Sequence, residues 1–445
     1  MLSPRTQTLT CLLLAALLAP SSAPGFELAD TVGDGSGEPL AWPAGEPIPF
    51  RFHYRGSDDL SEMVLESLIR SSYATWARDQ GSSVTLEEGR IFVGAAAHHP
   101  GPTEVDGQSA IFFIEALWPH GPEVIALTSV SFAADGEILD ADIAFNGADH
   151  TFTTVDTGGE KDFVSIATHE IGHFLGLAHS LAPDATMFAE YENGDTYLRD
   201  LSADDEAGIA ANYPCGSPPC AGTVGWVDGK ACSSGSGAAS VFALALGFGA
   251  LGVRRRRVGG ALVAAGLTVA AISLPGAAES TLVEELAVEV LADGADRVLR
   301  GSVVDVRAAF VQGMVVTYAT VSVTEDWVGS GAGEVELVLP GGVLDTPVAV
   351  VGADGVKLPK ELAGTLVFGA PRVAVGDDVV VFVDTDELQD VSTVRGLAQG
   401  LFVVQRDGTV GRDVSGLAFA RTAGHAPLPV VAPDTLRELA DRIAR

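Results

Sequence analysis

Three histidines and one glutamate lie close together in the stretch HEIGHFLGLAHS, which runs from residue 169 to residue 180. His169 and His173 are four residues apart, so on a helix they project from one face and can share one zinc ion through neutral imidazole nitrogens. Glu170 lies beside the first histidine. Its carboxylate can take a proton from a metal-activated water as general base and later return it as general acid.

Gly176 and His179 extend this pattern to a third ligand. Gly176 follows His173 by three residues and can end the helix in a left-handed turn, because glycine adopts a positive φ without steric cost. The chain can then turn back and bring His179 to the same ion. Three protein ligands leave a fourth position for water and substrate, which is typical of catalytic zinc sites, whereas structural sites are closed.

The elements that must position these residues are predicted from residues 38–214. Strands are predicted for PFRFHY, VIALTSVSF and ILDADIAF, and the Asp135-Gly136 pair favours a hairpin turn between the last two. Helices are predicted for DLSEMVLESLIRSSYATWARD, for DFVSIATHEIGHFLGL and for the segment after Ser202, which opens with a capping pattern. Together they predict an α+β domain with a twisted mixed sheet.

The histidine stretch resembles the metzincin zinc peptidases, and Ser180 directly after His179 resembles their matrixin branch. ILDADIAFNG and LSADDEAGIAANYP are also similar to matrixin segments, so the resemblance covers residues 45–214. It implies a metzincin-like fold and the zinc-dependent hydrolysis of peptide bonds in proteins. An extended peptide substrate is expected to pair with an exposed strand within residues 124–132.

The resemblance also implies roles for residues beyond the active helix. Met187, in DATMF, corresponds to the methionine that forms an apolar floor beneath the metal. Tyr191 matches the tyrosine in the wall of the pocket that receives the side chain after the cut bond. Ala189 stands where matrixins usually have proline, so the shape and selectivity of this pocket are not carried over.

Other metal sites of the family are matched less closely. Calcium is typical of matrixins, and Asp140 and Asp142 are candidate ligands, although alternating acidic residues on a strand also fit solvent-facing positions. The second, structural zinc set is not reproduced by the spacing of four further histidines of this region. These are His98, His99, His120 and His150.

The first residues of the chain predict export. Arg5, an apolar run and small residues ending near Ala23 form a signal over residues 1–23, and the apolar run is too short to cross a bilayer. The usual matrixin latency cysteine is missing, because the single cysteine ahead of His169 is Cys11, inside this signal. In an oxidising compartment, Cys215 and Cys220 can form a small-loop disulfide, which leaves Cys232 over.

Composition limits the remaining functions. The chain has 445 residues, so two or more domains are expected. Its 59 acidic and 26 basic residues give a formal charge of -33, which argues against nucleic-acid binding because phosphates are held by clustered Lys and Arg. A protein or peptide substrate is the expected partner.

The middle of the chain allows more than one interpretation. A Gly/Ser/Cys linker over residues 215–238 precedes two apolar runs within 239–278, which flank four arginines at 254–257. The runs fit a membrane hairpin with the arginines on the cytoplasmic side, an internal export signal, or a buried helix pair. CSSGSGAASVFALALGFGALGVRRRR resembles the C-terminal sorting tails of myxobacterial proteins, but 188 residues follow it here.

Residues 279–445 show Val-rich alternation that predicts a mainly β domain, either a sandwich or a small barrel. No catalytic motif is found in it. The sequence thus predicts a signal (1–23), a peptidase domain (24–214), a linker, the two apolar segments and this β domain. It predicts an exported, membrane-anchored zinc endopeptidase. The alternative is a surface binding or display protein in which the β domain is the main functional part. The peptidase would then only process this β domain or neighbouring proteins.

Overall fold

The structure is a computed structural model, and it describes most of the chain in nine ranges. These are residues 25–52, 56–78, 81–89, 104–154, 160–215, 281–352, 355–386, 391–421 and 435–444. The predicted signal, residues 216–238 of the linker and the two apolar segments lie outside them. Among the described residues, no helix is both long and apolar enough to cross a membrane. Cys215 is disulfide-bonded, and its partner also lies outside these ranges.

The described residues contain five α-helices and two short 3₁₀ helices. The α-helices are α1 (Glu62–Ala77), α2 (Phe163–Phe174), α3 (Ala203–Asn212), α4 (Val288–Gly294) and α5 (Leu436–Ile443). The 3₁₀ helices are Tyr197–Arg199 and Leu397–Gly400. The helices predicted after residues 59, 162 and 202 are therefore confirmed as α1, α2 and α3.

The strands of the N-terminal part are β1 (Ile48–Phe52), β2 (Leu86–Glu88), β3 (Ala110–Ile114), β4 (Val124–Phe132), β5 (Ile138–Asn146), β6 (Phe152–Thr153), β7 (Lys161–Asp162) and β8 (Glu190–Glu192). Those of the C-terminal part are β9 (Thr281–Glu284), β10 (Arg297–Val311), β11 (Met314–Val328), β12 (Glu334–Pro340), β13 (Gly342–Val348), β14 (Leu362–Val367), β15 (Asp378–Asp386), β16 (Val391–Val394), β17 (Leu401–Val404), β18 (Val410–Gly411) and β19 (Leu417–Arg421).

A mixed sheet carries the N-terminal part of the structure. Its strands β2, β1, β3 and β5 are parallel neighbours, and β4 runs antiparallel to β5. The predicted hairpin turn between β4 and β5 forms, with Gly136 at a φ of 81°. Helices α1 and α2 pack together, and the Trp76 indole N–H on α1 donates to the Thr168 carbonyl on α2 at 2.8 Å. The predicted α+β fold with a mixed sheet is confirmed.

A second sheet confirms that the C-terminal part is mainly β. Its strand order is β10-β11-β12-β16-β15-β17-β18, and a further pairing of β10 with β15 closes five of these strands into a small barrel. Valines and leucines on alternate positions fill its interior, as the Val-rich alternation predicted. Of the two predicted architectures, the barrel is the one that forms.

Four C-terminal strands do not belong to the second sheet and instead complete the large sheet: β9, β14 and β19, and β13, which pairs with β14. β9 lies antiparallel to β4, with Val283 opposite Val124 and Leu282 opposite Ala126, and β14 lies antiparallel to residues 129–132 of β4. β19 then pairs in parallel with both β9 and β8. The prediction of an exposed strand within residues 124–132 is therefore wrong, because both edges of β4 are paired.

Asp140 and Asp142 are not solvent-facing, so that interpretation of the alternating acidic residues is wrong. Both side chains are buried on β5. Asp140 accepts four hydrogen bonds, from the backbone N–H groups of Asp106, Gly107 and Ser109 at 2.7–2.9 Å and from the Ser109 hydroxyl at 3.1 Å. Burial raises the pKa of Asp140, and these donors oppose the shift. Its carboxylate organises the loop ahead of β3.

Asp140→Asn should destabilise the protein, because the new amide group cannot accept the N–H bonds that it replaces. We expect a loss of about 2 kcal/mol in the free energy of unfolding, measured by urea titration of tryptophan fluorescence. Asp305→Asn is the matched control, since Asp305 is more than half exposed on β10. Equal midpoints for the two variants would contradict this role.

Candidate metal centre

Helix α2 carries the first two histidines, and both of its ends are defined by side-chain and backbone hydrogen bonds. The Asp162 side chain accepts from the Ser165 N–H at 2.8 Å as N-cap, and Arg199 forms an ion pair with the same carboxylate. At the other end, Gly176 has a φ of 83° and donates to the His173 carbonyl. The predicted glycine turn is confirmed, and it directs the chain toward His179.

The three histidines converge, as their spacing predicts. One ring nitrogen of each lies within 4.8 Å of the others, and this is the one group of three or more His, Cys, Asp or Glu suited to a metal in the described part of the chain. The Nε2 atoms of His169 and His173 are 3.1 Å apart. Two nitrogens on one tetrahedral zinc are about 3.3 Å apart, so this spacing fits a shared ion.

Backbone carbonyls determine which ring nitrogens are available. His169 Nδ1 lies 2.6 Å from the Thr186 carbonyl and His173 Nδ1 lies 2.8 Å from the Leu177 carbonyl, so each Nδ1–H donates to an oxygen. Each Nε2 is then unprotonated. Two lone pairs facing each other at this distance repel unless a cation lies between them, which is the second reason that the residues fit zinc.

His179 completes the group from the loop after α2. Neither of its ring nitrogens has a hydrogen-bond partner of good geometry among the described residues, although backbone atoms of Ser415 lie against the ring. Burial, and then the nearby His169, lowers the pKa of His179, and burial lowers that of His169 to about 4. All three rings are buried, so they are neutral, as zinc ligation requires.

Glu170 is fully buried next to the histidines. Its Oε2 accepts a hydrogen bond from the Thr128 hydroxyl on β4, and its Oε1 has no partner among the described residues. Burial raises the pKa of Glu170 to about 8, while Thr128 and the backbone of Leu282 act in the opposite direction. The carboxylate is thus held on one oxygen and free to exchange a proton on the other.

Met187 packs against helix α2, one residue after the Thr186 carbonyl that accepts from His169. Its side chain is 2% exposed and packs against Gly172 of α2, where a Cβ would overlap the methionine sulfur. Asp205 on α3 fixes this segment by accepting from the N–H groups of Thr186 at 2.7 Å and Met187 at 3.0 Å. The Thr186 carbonyl in turn accepts from His169. Asp205 therefore helps to orient this metal ligand through Thr186.

The sequence reasoning missed Asp205 as a residue of the site. The signal was present, because Asp205 occupies the N3 position of the capping pattern that begins at Ser202, and the capping box forms. That pattern predicted only the start of a helix. It gave no sign that the same carboxylate also binds the methionine segment.

Tyr191 lines a small pocket together with His169, and Ala189 precedes it by two residues in the chain. The Tyr191 hydroxyl accepts from the Asp162 N–H at 2.8 Å, which connects the pocket wall to the start of α2. The Ala189 carbonyl accepts from the Phe419 N–H of β19 at 3.0 Å. The pocket itself is lined by Ile166, His169, Phe188, Tyr191, Leu198, Leu282 and Ala418. Two of its lining residues therefore come from the C-terminal strands.

Of the other histidines considered, His120 and His150 fall within the described ranges, and His98 and His99 lie outside them. Burial lowers the pKa of His120 to about 4 and also lowers that of His150. Neither belongs to a group that could hold a metal in the described part of the chain. A calcium site at Asp140 and Asp142 stays a prediction, although Asp140 already uses both oxygens for backbone N–H groups.

Comparison with known proteins agrees with this geometry. Residues 42–214 match the family model described as Matrixin, and the three histidines that could hold a metal lie within the matched residues. Neutrophil collagenase of Homo sapiens is 38% identical over 164 residues, which are 36% of this chain and 31% of that protein. Matrix metalloproteinase-20 of Homo sapiens is 42% identical over 80 residues (18% and 16%).

A third relative, matrix metalloproteinase-25 of Mus musculus, is 28% identical over 162 residues, or 35% of this chain and 24% of that protein. The chain thus spans less than a third of the length of each of these three relatives. The large sheet's C-terminal strands and the barrel lie outside the residues that the family model matches.

Gly176→Ala should disrupt the metal centre, because a Cβ there would overlap the Leu40 carbonyl oxygen at a positive φ. Gly408→Ala is the matched control, with a φ of 84° but open space around it among the described residues. The control should lose only about 1–2 kcal/mol of stability. Gly176→Ala should lose more and bind less than one zinc per chain by metal analysis; equal effects would contradict the close packing at this turn.

Proposed function

We propose that the chain is a zinc-dependent endopeptidase that hydrolyses peptide bonds in extracytoplasmic proteins. The observation that carries the proposal is the convergence of three neutral histidines whose free ring nitrogens face one another, with the Glu170 carboxylate beside them. Three histidine ligands and an adjacent carboxylate are the groups that metal-assisted hydrolysis requires.

In this mechanism, His169, His173 and His179 hold the zinc. When bound, zinc supplies a Lewis acid that polarises the scissile carbonyl and lowers the pKa of water. Glu170 accepts the proton of the attacking water and passes it to the nitrogen of the leaving amine. The Thr128 hydroxyl holds the second carboxylate oxygen and so orients the first. The Thr186 and Leu177 carbonyls accept from Nδ1–H of His169 and His173, respectively. They thus keep both rings in the tautomer whose Nε2 is free to bind the metal.

The substrate is an extended peptide that pairs with the edge of β4 opposite β5, by β-augmentation. Its side chain after the cut bond enters the pocket walled by Tyr191, Ile166 and Leu198. Ala189, two residues before Tyr191, offers to the substrate main chain the carbonyl that accepts from the Phe419 N–H in this structure. Because β9, Phe368 and β14 occupy the same edge, a peptide binds only after these segments have left.

We further propose export of this peptidase, supported by the signal pattern of residues 1–23 and by the matrixin match. Residues 239–278 then anchor it in a membrane, with the four arginines on the cytoplasmic side, or act as a sorting tail followed by an internal signal. The proposed boundaries are residues 24–214 for the peptidase domain and 279–445 for the β domain.

Glu170→Gln should retain one zinc per chain but lose hydrolysis by about 10²–10⁴-fold, because it removes the general base and no ligand. His179→Ala should lose both. We would measure zinc by metal analysis and hydrolysis with casein, in a Leu282→Arg background that destabilises β9 and the segments packed beside it. Retained hydrolysis by Glu170→Gln would exclude this mechanism.

A further inference from the structure

The edge of β4 that a substrate would use is filled by the chain itself. β9 pairs with it at Val124 and Ala126, and β14 pairs with residues 129–132. Between these two strands, the Phe368 N–H donates to the Thr128 carbonyl at 3.2 Å. Along this edge of the described structure, segments of the C-terminal part therefore take the place of an extended peptide from end to end.

Leu282 on β9 lines the pocket next to the metal centre. Its side chain is 3% exposed and lies with Ile166, His169 and Tyr191, while Ala418 of β19 closes the same space. β9 also runs antiparallel to β4. Leu282 thus combines a main-chain position on the edge strand with a side chain in the pocket, which are the two contacts expected of a substrate residue.

The C-terminal part also covers the histidines directly. The Phe368 ring lies against His173, with 4.4 Å between the ring centroids and a tilt of 32°. Backbone atoms of Ser415 lie against His179. All three histidines are at most 3% exposed. A substrate carbonyl therefore cannot reach the metal centre while these segments stay in place.

β9 is bound along both of its edges and at its C-terminal end, unlike a substrate peptide that binds and is released. Glu284 pairs with Lys161 at 2.9 Å, and the Gln399 side chain binds the Glu284 carbonyl and the Leu286 N–H. β19 pairs with its other edge. A strand fixed along both edges resists the distortion that peptide hydrolysis needs and keeps both ends together after a cut.

We propose that residues 281–421 act as an inhibitor of the peptidase site, with β9 in the place of a substrate and Leu282 in its pocket. This inference rests on the proposed peptidase function for its consequence, namely that the full chain is latent. The occupation of the cleft is a separate claim with its own test. Activity then begins when β9 leaves β4 together with β14, Phe368 and the Ser415 segment, so a chain that is cut within residues 216–280 can lose its inhibitor.

The docking is tested in the full chain by a cross-strand disulfide. Val124→Cys with Val283→Cys places two cysteines at directly opposed positions of an antiparallel pair, within disulfide reach. We expect a cross-link on oxidation, detected by peptide mass spectrometry. Val124→Cys with Val304→Cys is the control, since Val304 is an exposed residue of barrel strand β10 that is not paired with β4. It should give no such cross-link.

The release is tested with Leu282→Arg, whose charge cannot remain in the apolar pocket. We expect binding of a fluorescent peptide hydroxamate, a zinc-chelating probe, and hydrolysis of casein each to rise at least about tenfold over the unmodified chain, which corresponds to about 1.4 kcal/mol. Val304→Arg is the control and should change neither. Oxidation of the Val124→Cys/Val283→Cys chain should abolish probe binding, and reduction should restore it to the level of the unmodified chain.

The outcomes separate this inference from the proposed function. A missing cross-link, or equal probe binding by the unmodified chain and Leu282→Arg, would overturn the inhibitor even if casein is hydrolysed. A cross-link with stronger probe binding but no hydrolysis would support the inhibitor and overturn the peptidase. Self-cleavage between Thr281 and Leu282 would also overturn it, because β9 would then be a substrate.

Discussion

A strand that is buried along its whole length needs hydrogen-bond partners on both of its edges, because a buried backbone N–H or C=O group cannot form a hydrogen bond with water instead. β4 is such a strand, with all nine residues buried. β5 satisfies one edge, and β9 and β14 satisfy the other. This requirement connects residues 42–214, which match the matrixin family model, to the C-terminal part, and it brings Leu282 and Phe368 to the metal centre.

The metal centre depends on a second layer of main-chain contacts. Hydrogen bonds to the Thr186 and Leu177 carbonyls determine the tautomers of His169 and His173. Asp205 accepts from the Thr186 N–H and so fixes the position of Thr186. These supporting groups follow from the turn at Gly176 and from the start of α3, which are local features. The orientation of the histidine ligands therefore depends mainly on residues close to them in the sequence. The long-range requirement is that α3 packs against the segment that contains Thr186 and Met187.

The features that could be predicted from the sequence are those that a short stretch determines. The positions of α2, β4 and β5, the turn at Gly176 and the meeting of His169, His173 and His179 follow from periodicity, glycine and spacing. The partner of β4 could not be found this way, since Leu282 and Ala126 are far apart in the chain and a short run such as TLVE pairs equally well with many strands. Asp140 was misjudged for the same reason, because its partners lie in a loop more than thirty residues earlier.

Sharing one sheet also makes the two parts of the chain thermodynamically dependent on each other. β9 and β19 leave β8 and β4 only at the cost of exposing Leu282, Ala418 and the buried pocket around them. Loss of the barrel by heat or denaturant removes the support of β9, so partial unfolding of the C-terminal part and opening of the cleft are one event. The melting behaviour of the barrel is then a measure of how firmly the metal centre is closed.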